Sequence, residues 1–280
     1  DADAADVQLT AAGITLTNTV DGAKNLTLLP TGGPIRMEGP VGGTTPLASL
    51  KIGAARSVTA LKAIAIDGSA AGARADGLTL DAGANGVDMQ AAGSTISNCA
   101  GDGIRINGSA GSKFSGFTLT KNALAGIRAT GTNTGSSITG NVIEGGSKGT
   151  YGVVLDGVTG LALGTLTAGN TIGGTSVGIL GKGVQTGTSI RSNAILANAV
   201  GLSVESATDL VVDANRLVGN TQYGIQASGV DTGTTLTRNT VRRSPYGVFI
   251  NGATSLTVGG PGLNNTIAAG TDAAGTYQPT

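Results

Sequence analysis

An all-β fold, a parallel β-solenoid of short strands coiled round one axis, is what this 280-residue sequence predicts. Three observations predict it. A glycine followed by an aliphatic residue returns at a nearly constant step. Between returns, side chains alternate in character with a period of two. A second short piece in most periods ends in asparagine, and no period carries a helical pattern.

The glycine ladder runs Gly103 (IRI), Gly126 (IRA), Gly152 (VVL), Gly178 (ILG), Gly201 (LSV), Gly224 (IQA) and Gly247 (VFI), in steps of 23, 26, 26, 23, 23 and 23 residues. Gly86 (VDM) precedes it by a shorter step of 17. A period of about 20–50 residues marks a solenoid, propeller or array, and the content of one period decides among them. In "GIQA" the first and third residues after glycine are apolar and the second is free, the alternation of a strand with one buried face. The second piece closes on Asn98, Asn122, Asn141, Asn170, Asn193, Asn215 and Asn239. Asparagine tolerates left-handed backbone, and stacked asparagines form hydrogen-bonded ladders. Glycine interrupts every window that could otherwise run as a helix.

One coil of two or three such strands cannot bury its own face, whereas stacked coils can. The inward columns are then Ile104, Ile127, Val153, Ile179, Leu202, Ile225, Val248 and Ile106, Ala129, Leu155, Gly181, Val204, Ala227, Ile250. About 12 coils at roughly 4.8 Å each make a rod of roughly 55 Å. The chain reads as one continuous domain: irregular coils over 1–85, regular coils of 23–26 residues over 86–260, and an incomplete terminal coil over 261–280. Residues 1–6, "DADAAD", do not look like the start of a fold. The repeated glycines and asparagines are read as turn residues.

The seven in-phase copies between Gly101 and Gly260 resemble the right-handed parallel β-helix repeat proteins. The stretches "ITLTNTVDGAKNLTL" (14–28) and "IRMEGPVGGTTPLASLKI" (35–52) resemble repeats of large bacterial surface adhesins of the filamentous-haemagglutinin type. Together these resemblances imply an exported, extracellular or cell-surface solenoid with a structural or adhesive role, either a segment of a longer adhesin or a rod that joins itself end to end. The β-helix resemblance also implies an alternative, since lyases, galacturonases and epimerases acting on polysaccharides share that fold.

Composition narrows the choice. Formal net charge is zero, which gives no electrostatic case for nucleic acid. The chain has no histidine, removing the commonest general base and transition-metal ligand. Its single cysteine, Cys99, permits no internal disulfide and is read as a small buried side chain. No window reaches the roughly 18 apolar residues of a membrane span. Two acids in phase one coil apart would serve glycoside chemistry, and the regular coils show none: Asp156 and Glu205 are separated by a whole coil. The sequence therefore predicts no catalytic residues, cofactor or metal.

One surface stands out for binding a glycan or a partner. Tyr223 and Tyr246 occupy one phase in adjacent coils, Phe249 falls in the outward column, and Arg242 and Arg243 come from the neighbouring turn, with Arg216 and Arg238 close by. Aromatic rings with arginines meet sugars and partner surfaces. The plainer reading is a packed tyrosine stack with arginines paired to Asp213 and Asp231. Tyr151 shares the phase but lies three coils away.

Overall fold

The computed structural model describes residues 6–70, 72–90, 92–145 and 150–269, and over them the chain is a parallel β-solenoid with three faces. The first face carries eleven rungs, beginning with Val7–Ala11, Asn25–Pro30, Ser49–Ile52, Leu78–Leu80 and Ile104–Asn107 and ending with Val200–Glu205, Tyr223–Val230 and Tyr246–Thr254. The second face runs from Ile14–Leu16 to Thr257–Val258, and the third from Ala65–Asp67 to Thr266–Ala269. Ala125–Thr139 and Tyr151–Leu163 pass from the first face into the second without a break. No helix in the described residues is long and apolar enough to cross a membrane.

The eleven rungs among the described residues match the expected count of about 12 closely, and the early coils run slightly longer than the late ones. Leu26, Leu50, Leu78 and Ile104 are register neighbours separated by 24, 28 and 26 residues. The two inward columns pair in the expected register through Val248 and Ile250, but in this last rung of the first face Val248 is only half-buried and Ile250 is exposed, so the expected burial ends at Ile225 and Ala227. Thr266–Ala269 pairs with Thr240–Ser244 and so closes the third face of the last coil rather than opening a new one. The remainder of the expected terminal coil, and residues 1–5, lie outside the described residues.

The ladder glycines are needed for room and not for turns. None of the seven has a left-handed φ. A Cβ on Gly126 would stand 2.3 Å from Ile143 Cγ2, and one on Gly224 would stand 2.2 Å from Val241 Cγ1 and 2.6 Å from the Gly247 carbonyl oxygen. The first-face strand therefore starts by pressing bare backbone against the third face's inward residue and the coil above. Gly86 does not belong to this ladder. It precedes Val87–Met89, which pairs in the second face, and the true predecessor of Gly103 is Gly77. Left-handed backbone is instead concentrated at the corners, as in Gly108, Gly131, Gly157, Gly183, Ser206, Gly229 and Gly252.

The asparagines form two ladders rather than one. Asn141, Asn170, Asn193, Asn215, Asn239 and Asn265 hand hydrogen bonds up the corner before the third face, each side-chain oxygen from Asn170 onward accepting the backbone N–H of the asparagine below, while that of Asn141 accepts the Phe117 N–H. Asn198 and Asn220 form the second, with Thr175, at the corner after that face. Asn122 sits at this second corner, accepting the Cys99 N–H, and Asn98 belongs to neither ladder, since its amide donates to Asp67. The two corners lie about five residues apart in each coil, so a single sequence phase merges them.

Asp231 shows what this bonding demands. Four coils earlier, the register-equivalent Asn133 accepts the Ser109 N–H and donates to the Thr130 and Gly131 carbonyls. Asp231 likewise accepts the Ala207 N–H, but it has no amide to donate, and its buried Oδ2 has no partner. Burial raises its pKa above the usual carboxylate range. A raised folded-state pKa makes this group favour folding at low pH and oppose it as pH rises through that value. Asp231→Asn is expected to stabilise the chain by about 1–3 kcal/mol at pH 7, with the gain shrinking as pH falls through the raised folded-state value and levelling off below about 4, where both states are protonated. Urea unfolding at both pH values checks this; an equal gain at each would contradict it.

Candidate functional site

The three rings do meet. Register pairing sets Tyr223 beside Tyr246 and Gln226 beside Phe249 on the outer surface of the first face. The two tyrosine rings stack with centroids 5.3 Å apart at 30°. Phe249 lies 4.9 Å from Tyr223 and 6.2 Å from Tyr246. Tyr246 is the outermost, 53% exposed. Glycine at 224 and 247 lets both backbones lie flat against the core at this point, which brings the rings into one surface. Tyr151 stands in the same column but three rungs down, through Val177 and Val200.

The arginines divide between two faces. Arg238 closes on Asp213 through two hydrogen bonds, one of them Nε to Oδ1 at 2.8 Å, and this contact holds the Asp213 carboxyl below its usual range. Asp231 pairs with no arginine among the described residues. Arg242 is on the third face, one rung from Arg216, while Arg243 occupies the corner between that face and the aromatic surface. Arg243 has a φ of 54°, at a position where the coils below have Gly174, Ala197 and Gly219. Left-handed backbone costs a side-chain-bearing residue about 1–2 kcal/mol. Arg216, Arg242 and Arg243 are exposed, and none of their guanidinium groups makes a hydrogen bond or ion pair among the described residues. With Val218, Thr240 and Ala268 they line a depression of about 580 Å³.

The structure also assembles a cluster that phase-reading from Gly86 missed. Asp76 and Asp102 stand one coil apart, and Asp76 Oδ1 accepts the Asp102 N–H at 2.8 Å. Arg105 and Arg128 pair in register beside them. Arg128 Nε donates to Asp102 Oδ2 at 2.7 Å, and Arg105 lies 3.7 Å from both carboxylates. The signal was present in the matched pieces "DGLTL" and "DGIRI". Asp102 is wholly buried, its Oδ1 has no partner, and burial, opposed by Arg128, raises its pKa. Cys99 is buried nearby with its thiol pushed up to about 12, chiefly by burial. Among the described residues, no group of three or more His, Cys, Asp or Glu is placed to hold a metal ion.

The family model for a right-handed β-helix region matches residues 77–267. No curated protein matches the sequence. Among solved structures, the periplasmic alginate epimerase AlgG is similar with a TM-score of 0.53 at 14% identity, over 86% of this chain and 64% of that one. A point mutant of it gives a TM-score of 0.57 at 13% identity, over 83% and 59%. This chain thus spans about three-fifths of those structures, and the likeness is one of fold.

Proposed function

The chain belongs to the right-handed β-helix family, and from that premise we propose that it binds polysaccharide on the outer surface of its late coils. The observation that carries this reading is the aromatic platform of Tyr223, Tyr246 and Phe249, with Tyr246 its exposed member, together with three unpaired arginines round the corner on the third face. A sugar ring lays its C–H face on aromatic carbon, and arginine supplies planar donors for hydroxyl or carboxylate oxygens. A packed tyrosine stack accounts for the rings but not for unpaired guanidinium groups. Zero net charge argues against nucleic acid as the occupant. A polymeric glycan as ligand implies an exported protein, working at or beyond the cell surface.

The test is the affinity of wild type and Tyr246→Ala for neutral and acidic hexasaccharides by calorimetry. Loss of one stacking ring is expected to weaken binding about tenfold, some 1.4 kcal/mol. Equal affinity in both proteins would remove the platform from the reading.

A second reading, a polysaccharide-modifying enzyme, is favoured by the in-register carboxylates of Asp76 and Asp102 beside the half-buried Arg105. Turnover of an acidic polysaccharide that Asp76→Asn abolishes would establish it. The adhesive or end-to-end filament reading has no comparable site. Concentration-dependent growth in light scattering would return it to first place.

A further inference from the structure

The third face carries two depressions that adjoin along the solenoid axis. The arginine-lined one ends at Arg216 and Val218, whose register neighbours one coil below are Ala194 and Leu196. Leu196 belongs to the second depression, of about 380 Å³, floored by Gly173, Gly174 and Ala197 and closed at its far end by Glu144. The outward column through both therefore reads Glu144, Gly173, Leu196, Val218, Arg242. One end is cationic, the middle is smooth and apolar, and the other end is acidic. Glycine at 173 and 174 leaves backbone as floor, and neighbouring rungs are about 4.8 Å apart.

We infer that this face is a polarised subsite for a linear acidic glycan lying along the axis. Its anionic unit sits on Arg216, Arg242 and Arg243. An uncharged unit bearing an apolar substituent, such as a methyl ester, lies over Leu196 and Val218. This inference rests on the polysaccharide reading above and adds the charge and orientation of the ligand. Charge complementarity selects the occupant: three unpaired guanidinium groups attract carboxylate or sulfate, and Glu144 repels a second anionic unit at the far end.

The experiment is titration calorimetry of the full chain with three hexasaccharides of equal length: a partly methyl-esterified oligogalacturonate, in which the esterified units are uncharged and carry an apolar methyl, the same after de-esterification, and the same after carboxyl reduction. Wild type is expected to prefer the partly esterified acid. Carboxyl reduction or the double variant Arg216→Gln/Arg242→Gln is expected to cost about tenfold or more in affinity, and Glu144→Gln to tighten binding of the uniformly charged hexasaccharide. Circular dichroism checks that these exposed substitutions leave the fold intact. If the double variant binds all three as wild type does, the subsite is wrong while the platform stands. If wild type prefers the carboxyl-reduced sugar, the assigned charge is wrong. If wild type binds none, the polysaccharide reading falls together with the subsite.

Discussion

Asn193→Ala is expected to destabilise the chain by about 3–5 kcal/mol, because truncation strands several buried polar groups at once. Asn193 is fully buried in the middle of the longer ladder. Its Oδ1 accepts both the backbone N–H and the amide of Asn170, and its Nδ2 donates to the Leu163 carbonyl and to Asn215 Oδ1. Alanine leaves two donors of Asn170 and the Leu163 carbonyl without partners, in a corner lined by backbone. An unmade buried bond costs about 1–3 kcal/mol, while a made one contributes only about 1. Asn265 is the internal control: it is only half-buried, and it accepts from Asn239 and donates to the Leu236 carbonyl. Asn265→Ala is expected to cost less than half as much in urea unfolding. Equal losses at the two positions would mean that the ladder's depth in the stack does not matter.

Gly201→Ala carries the second large effect, about 3 kcal/mol, at the upper end of overpacking costs. The added Cβ would lie 2.5 Å from the Gly224 carbonyl oxygen, 2.7 Å from Asn220 Nδ2 and 2.9 Å from Leu217 Cδ2. Two of those neighbours are tied into the inter-coil bonding and cannot retreat without breaking it. Gly219 makes the opposite case, with a φ of 69° and no atom within 4 Å of where a Cβ would stand. Asparagine, which tolerates left-handed backbone, is therefore expected to be accepted at 219 and rejected at 201. Thermal unfolding of Gly201→Asn and Gly219→Asn separates the two causes. Similar losses for both would refute the assignment of the ladder glycines to space.

The fold was legible because a solenoid repeats one local solution. Alternation identified the inward residues as far as Ile225 and Ala227, and the register of Ile104 through Val248 follows from the glycine step alone. The reason for each glycine was not legible. Close approach between coils leaves no mark in one coil's own sequence, so Gly201 reads like a turn glycine although its backbone is ordinary. Gly77 stands 26 residues before Gly103, within the ladder's own range of steps, and taking Gly86 in its place hid the pairing of Asp76 and Asp102. The aromatic surface was legible because Tyr223 and Tyr246 share a phase. The separation of Arg242 from the rings was not, since four residues of sequence there turn a corner, with Pro245 just before Tyr246.

A crystal structure of the chain soaked with an oligogalacturonate hexasaccharide tests the central claim most directly. The account predicts a sugar ring stacked on Tyr246 and Phe249, or a carboxylate within hydrogen-bonding distance of Arg216 or Arg242. Saccharide bound instead against Asp76 and Arg105, or an unoccupied late-coil surface at saturating ligand, would contradict it.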